Sequence, residues 1–224
     1  MAETLPGRFI VLDGPEGCGK TTQAAHLVRR LREKGRQATA VRDPGSTPVS
    51  ERIRDVLLDK RLPEMDARTE VFLYMASRAE MMTRIVRPAL EVGLVVVSDR
   101  FISSTVAYQG YAGGIEPDLI WELGRAACGG IEPDLTVILD VDVETSFARL
   151  QRDIPLFVSR EQREEGARFE ADRIESKERA YHEKVRQGFL AMARERPDRF
   201  TVVDASRPPD EVAAEIEAAV ARVL

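Results

Sequence analysis

Cysteine is nearly absent from this sequence: Cys18 and Cys128 are the only two in 224 residues, too few for a disulfide framework and without the paired spacing of a zinc site. Reduced thiols are expected. Long apolar runs are lacking as well, the longest, such as Leu94–Val97, being strand-sized and far below the roughly 18–20 residues that cross a bilayer. No membrane association is expected. The segment Met1–Arg8 has neither the basic nor the apolar block of a secretory signal, so the expected location is the cytoplasm. Histidine is limited to His26 and His182, whose spacing suggests no role. Lysine is scarce: 33 basic residues divide into 28 Arg and only 5 Lys. An excess of positive charge is missing too, because 38 acidic residues leave a formal net charge of −5, which argues against bulk nucleic-acid binding.

What is present is an ordinary globular composition, 43% hydrophobic and 32% charged, which excludes a natively unfolded chain. The arginine excess has two readings. Codon bias in a GC-rich genome replaces surface Lys with Arg; alternatively, some guanidinium groups clamp phosphates, where a planar bidentate fork outperforms an ammonium. Position along the chain has to decide.

Five apolar, β-branched runs of strand length stand out: Phe9–Asp13, Gln37–Val41, Leu94–Ser98, Leu135–Asp140 and Phe200–Asp204. Between them lie segments of helical periodicity: Thr21–Lys34 closed by Gly35, Ser50–Leu58, Thr69–Glu91, Asp118–Cys128, Val143–Arg152, Ala171–Arg196 and Pro209–Leu224. Regular alternation predicts an α/β fold, a parallel sheet covered on both faces by helices, with ligands at the carboxyl ends of the strands. With no internal repeat or linker, a single domain over 1–224 is expected. The stretch Asp153–Arg168, with Pro155, Gly166 and dense charge, is too polar for core. It reads either as an exposed loop or as a mobile lid, about 153–170.

The most specific signal is Gly14-Pro15-Glu16-Gly17-Cys18-Gly19-Lys20-Thr21, which fits G-x-x-x-x-G-K-[ST] between a predicted strand and a predicted helix. Its glycines let backbone amides wrap phosphates, and the following helix aims its positive end at them. Lys20 would reach the β- and γ-phosphates, the Thr21 hydroxyl would ligate Mg²⁺, and Thr22 follows among the ATP-binding residues. Cys18, beside a helix amino terminus, is either a thiol of depressed pKa or simply a small residue tolerated there. Asp99, at a strand end beside the loop strand, is placed to hold Mg²⁺ through water, and Arg100 to neutralise a transferring phosphoryl group. The N-K-x-D motif of small GTPases does not occur.

At Arg42–Thr47, Thr69–Arg78 and Asp99–Gly110 the chain resembles the thymidylate kinases, P-loop nucleoside monophosphate kinases, over Phe9 to the carboxyl terminus. The resemblance implies a P-loop NTPase fold with a five-stranded parallel sheet in the order 2-3-1-4-5, a homodimer, Mg²⁺, and transfer of the ATP γ-phosphate to dTMP to give dTDP and ADP for dTTP synthesis. It implies that Tyr74, where a Phe is usual, stacks on thymine; that Arg78 and Arg100 hold the dTMP phosphate, joined by Arg42; that Thr105 and Gln109 bond the base edge; that Tyr108 crowds the 2′ position; and that Glu16 contacts the 3′-hydroxyl. One subgroup carries an Arg at the position of Gly17, so Gly17 points to the subgroup whose lid supplies that cation. Arg149, Arg152, Arg160, Arg163 and Arg168 are the candidates, Arg160 and Arg163 as catalytic residues and Arg149 at ATP. Asp172–Glu175 resembles the motif after the lid, and Asp204–Pro208 the loop over adenine. Asp13 and Asp43 stand where Glu is frequent.

Because an acceptor phosphate is already ionised at neutral pH, this chemistry needs alignment and charge neutralisation and no strong base. Two rivals remain at this point. A deoxynucleoside kinase would phosphorylate a hydroxyl and need a carboxylate base, whereas a P-loop regulatory ATPase would hydrolyse ATP slowly and leave Ser103–Gly110 without a purpose.

Overall fold

Five runs of aliphatic residues build one parallel sheet in the computed structural model, which describes residues 6–152 and 178–224. Strands β1 (Arg8–Asp13), β2 (Ala38–Arg42), β3 (Val95–Asp99), β4 (Leu135–Asp140) and β5 (Phe200–Asp204) pair in the expected order β2-β3-β1-β4-β5. Two strands run one residue later than expected: Arg42 and Asp99 are the last residues of β2 and β3 and lie in register with each other.

Because β1 and β3 are covered on both faces, almost every residue in them is buried, the pattern of parallel strands in α/β proteins. Successive side chains go to opposite faces. Phe9, Val11, Val96 and Ile138 enter one core, while Ile10, Leu12, Val97 and Leu139 enter the other. Helix α1 (Lys20–Glu33) supplies Leu27, Val28 and Leu31 to the second core and ends at Gly35, whose φ of 78° lets the Gly35 and Arg36 amides return to Arg32 and Leu31.

Helices α2 (Pro48–Leu58) and α3 (Ala67–Met81) start under side-chain caps: Thr47 accepts from the Ser50 amide and Asp66 from that of Arg68. The expected helix over Thr69–Glu91 is interrupted by a π-helical turn, Met82–Val86, before α4 (Arg87–Glu91). Pro88 lies just beyond and cannot donate to the turn before it. The Arg87 amide bonds Met82 O instead.

One helix was not expected: α5 (Ile102–Thr105) runs directly into a second π-helical stretch, Val106–Tyr111. Nearly all of it is buried, so no polar face betrays the helical period. Then follow α6 (Pro117–Ala127), α7 (Val143–Arg152), α8 (Arg179–Glu195) and α9 (Pro209–Val220). The stretch expected as a lid, with Arg160, Arg163 and Arg168, lies outside the described residues, as do the Asp172–Glu175 motif and the first part of the helix expected over Ala171–Arg196.

Gly124 of α6 lets that helix close on α5: a Cβ there would meet the buried Ile102 side chain at 2.7–2.9 Å. Gly124→Val is expected to destabilise the fold by about 1–3 kcal/mol, read as a lowered urea midpoint with an unchanged slope.

Candidate active site

A cleft of about 780 Å³ opens at the carboxyl ends of the strands, walled by the ends of β2 and β3, by α1, α2, α3, α5 and α7, and by the loop after β5. Its floor is the loop Gly14–Gly19. Gly19 precedes α1 in the left-handed conformation, no side chain caps the helix, and no acidic residue stands in its first turn. The first-turn amides and the positive end of the helix dipole are thereby left to an anion. Lys20 is folded against the loop, its ammonium donating to Gly14 O at 3.1 Å and Pro15 O at 2.7 Å. Cys18 is free and buried, and burial pushes its thiol pKa up despite Lys20 beside it, which favours the reading of a small side chain tolerated in the loop. Gly17 has a φ of 64°, and a Cβ there would meet the Ser146 carbonyl of α7 at 2.6 Å. No side chain, an arginine included, fits without displacing α7, which is fastened to the loop by the Ser146 hydroxyl donating to Glu16 O.

Beside the loop, the Thr21 hydroxyl donates to Asp99 Oδ2 at 2.6 Å. A hydroxyl and a carboxylate converging at the head of a phosphate-binding helix suit a hard divalent cation that takes its other ligands from phosphate and water. Such a site needs no cluster of three protein ligands, and none of that size occurs among the described residues.

Arg100 occupies the centre of the cleft. Its φ of 72° is unusual for a residue other than glycine, and the conformation is held by its amide donating to Leu12 O at 3.0 Å and its carbonyl accepting from the Ser98 hydroxyl at 2.6 Å. The guanidinium pairs with Glu16 Oε1 at 2.5 Å, donates to Ser104 Oγ at 3.0 Å and lies 5.3 Å over the Tyr108 ring. Behind it, buried Asp13 accepts from the Gly14 amide and the hydroxyls of Ser103 and Ser104 at 2.6–2.9 Å. The shorter Asp13 side chain thus reaches its partners directly, as does Asp43, whose Oδ2 pairs with Arg78 at 2.6 Å.

Tyr74, Arg78, Thr105, Tyr108 and Gln109 all line this side of the cleft, so α3 and the unexpected α5 segment bring together the residues singled out from separate motifs. Arg78 departs from expectation in its surroundings. It is 1% exposed, four of its five N–H donors directed to Asp43, Met75 Sδ, Phe101 O and Thr105 Oγ1. A phosphate clamp lying open to the cleft is not what this geometry provides. Arg42 does lie open, half exposed and paired with Glu51 at 2.9 Å. Arg54, which no motif marked, lines the same wall, and burial together with Arg42 and Arg100 nearby lowers its pKa. Its helix is amphipathic in an ordinary way, and only the fold turns that position inward.

The opposite wall carries Arg149, Leu150, Ala205, Arg207 and Val212, with Arg149 donating to Ser206 O. The Asp204–Pro208 loop thus reaches the cleft. Gln23 was also missed in the sequence; it is buried on α1 and donates to Pro209 O at 2.9 Å.

Glu16 gives the cleft a pH dependence. Burial alone would raise its pKa, but Arg100, Lys20 and the Tyr108 hydroxyl outweigh that and hold it at about 2. A carboxylate depressed in the folded state stabilises it above the unfolded value near 4.5, and that contribution is lost as pH falls toward 2. Denaturant midpoints between pH 5 and 2 are expected to fall less steeply in Glu16→Gln than in the parent protein.

A family model described as thymidylate kinase matches residues 12–216. The thymidylate kinase of Deinococcus radiodurans is 43% identical over 214 residues, 96% of each chain, and that of Rhodopirellula baltica 44% identical over 218 residues, 97% of this chain and 82% of the other. Among solved structures, the thymidylate kinase of Ehrlichia chaffeensis superimposes with a TM-score of 0.72 at 28% identity, covering 96% of this chain and 98% of that one. With the phosphate loop, the parallel sheet behind it and this match over nearly the whole chain, the protein belongs to the thymidylate kinase family.

Proposed function

We propose that the cleft transfers the γ-phosphoryl group of ATP to the 5′-phosphate of dTMP, giving dTDP and ADP, the activity that family membership supports. The observation that carries this reading is Arg100, held in a constrained conformation midway between the phosphate loop and the Tyr74–Gln109 wall and bonded to both sides through Glu16 and Ser104.

On the donor side, Lys20 and the first-turn amides of α1 bind the β- and γ-phosphates, and Thr22 and Arg149 extend that binding. Arg207 and the loop after β5 flank the adenine. Thr21 and Asp99 would hold Mg²⁺, directly and through water, and this ion supplies neutralisation of phosphate charge. Arg160 and Arg163 are proposed to close over the donor phosphates. The crowding at Gly17, which leaves the loop no room for a cation of its own, supports that assignment.

On the acceptor side, Arg42, Arg54 and Arg100 bind the dTMP phosphate. Burial, with repulsion from Arg42 and Arg100 added to it, lowers the Arg54 pKa, and an anion among the three groups relieves the repulsion. Arg78 and Thr105, bonded to each other at 3.1 Å, face the base edge with Gln109, while Tyr74 stacks on the ring and Tyr108 restricts the 2′ position. Glu16 contacts the 3′-hydroxyl. The attacking phosphate oxygen is already anionic, so these residues align two polyanions and neutralise their repulsion without abstracting a proton.

A second copy of this chain is the proposed partner. Neighbouring helices α2, α3 and α6 expose Val49, Val56, Phe72 and Leu119, and Phe72 alone is 61% exposed, a patch of the kind that marks an interface. Two free, buried thiols support a reducing compartment, the cytoplasm.

Coupled measurement of ADP release with ATP, Mg²⁺ and a panel of nucleoside monophosphates is expected to show dTMP as the preferred acceptor; activity with purine acceptors alone would overturn the reading. Lys20→Ala and Arg100→Ala are each expected to lower kcat by about 100-fold or more with unchanged far-ultraviolet circular dichroism.

A further inference from the structure

Glu70 is a buried carboxylate that the proposed reaction leaves unused. It lies on the first turns of α3, is 3% exposed, and does not line the main cleft. It borders a second cavity of about 530 Å³, shared with Asp66, Ala112 and Tyr181. Gln109 stands between the two spaces and lines both. Across this partition, Gln109 Nε2 donates to Glu70 Oε2 at 2.7 Å, with both side chains buried.

An ionised carboxylate accepts hydrogen bonds and donates none. Rotating the Gln109 amide by half a turn would set its carbonyl against the carboxylate, two acceptors face to face in a buried place, and would forfeit a short charge-assisted bond. The pair therefore has one stable arrangement: amide nitrogen toward Glu70, carbonyl oxygen on the remaining side. From this geometry, and resting on the reading of the cleft as a pyrimidine nucleotide site, we propose that Glu70 is a positioning residue that fixes Gln109 as a hydrogen-bond acceptor for the base.

The consequence is a choice between pyrimidines. A 2,4-dione ring presents an N3–H donor beside a C4 carbonyl acceptor, and a 4-amino ring reverses both. Gln109 Oε1 as a fixed acceptor matches the first. The Arg78–Thr105 pair, whose guanidinium can only donate, matches the neighbouring carbonyl. An unrestrained glutamine could turn its amide to suit either ring. Glu70 removes that freedom without touching the substrate, so selectivity is set one side chain away from contact.

Glu70→Gln keeps the shape and removes the one-way acceptor, allowing the Gln109 amide to take either orientation. Steady-state kinetics with dTMP and dCMP are expected to show a raised KM for dTMP, kcat within about threefold of the parent, an unchanged KM for ATP, and a fall of about tenfold or more in the dTMP:dCMP ratio of kcat/KM. Glu70→Asp, which withdraws the carboxylate by one methylene, is expected to shift the ratio in the same direction and supplies the comparison if Glu70→Gln does not fold. An unchanged ratio in either folded variant overturns the proposal. So does an equal loss with both acceptors and with ATP, since that is the signature of a purely structural role. Failure of the parent protein to phosphorylate dTMP would instead refute the functional reading on which the inference rests.

Discussion

The Arg100–Glu16 ion pair joins two halves of the site that come from distant parts of the chain. Glu16 belongs to the phosphate loop and Arg100 to the turn after β3, and their 2.5 Å contact sets the spacing between them. That spacing depends in turn on the parallel sheet. β1 and β3 are neighbours in register, Leu12 beside Asp99, so both turns leave the same edge at the same height. Asp13 then ties the start of α5 to the loop through two serine hydroxyls. A partly buried pair of this kind contributes little net stability, because desolvation offsets much of the attraction, but loss of one partner leaves the other charge stranded. Its value lies in orientation.

A second pair, Arg78 with Asp43, is fully buried and serves a different purpose. It ties α3 to the turn after β2, on the side of the cleft that Tyr74, Thr105 and Gln109 also line. The two pairs grade the cleft from charge at its centre to directional hydrogen bonding at its far end. The composition takes on meaning in this light. Arg42, Arg54, Arg78, Arg100, Arg149 and Arg207 converge on one cleft within a chain of net charge −5, so positive charge is concentrated where small polyanions bind while the surface as a whole stays acidic. Arg29 and Arg30, on the face of α1, make ordinary ion pairs with Glu33 and Glu217, and codon bias suffices for residues of that kind.

Much of the fold was legible because its signals are local. Each strand is a short run of β-branched residues, the helices between them carry a 3.6-residue period, and the phosphate loop is a contiguous motif whose glycines meet real geometric demands at Gly17 and Gly19. The α5 segment escaped because burial on all sides erases the period on which such reading depends. Arg54 escaped because nothing in its own sequence neighbourhood distinguishes an arginine facing a cleft from one facing water.

The sequence by itself determined the order of elements, the phosphate loop, and the set of side chains from which a nucleotide site could be made, since these follow from composition, period and contiguous motifs. Only the tertiary structure decided how those side chains act on one another: that Arg78 is buried against Asp43, that Cys18 is buried beside Lys20, and that Glu70 holds Gln109. Hydrogen bonds and charge pairs depend on distances between residues far apart in the chain, and those distances exist only once the sheet has brought its strand ends together.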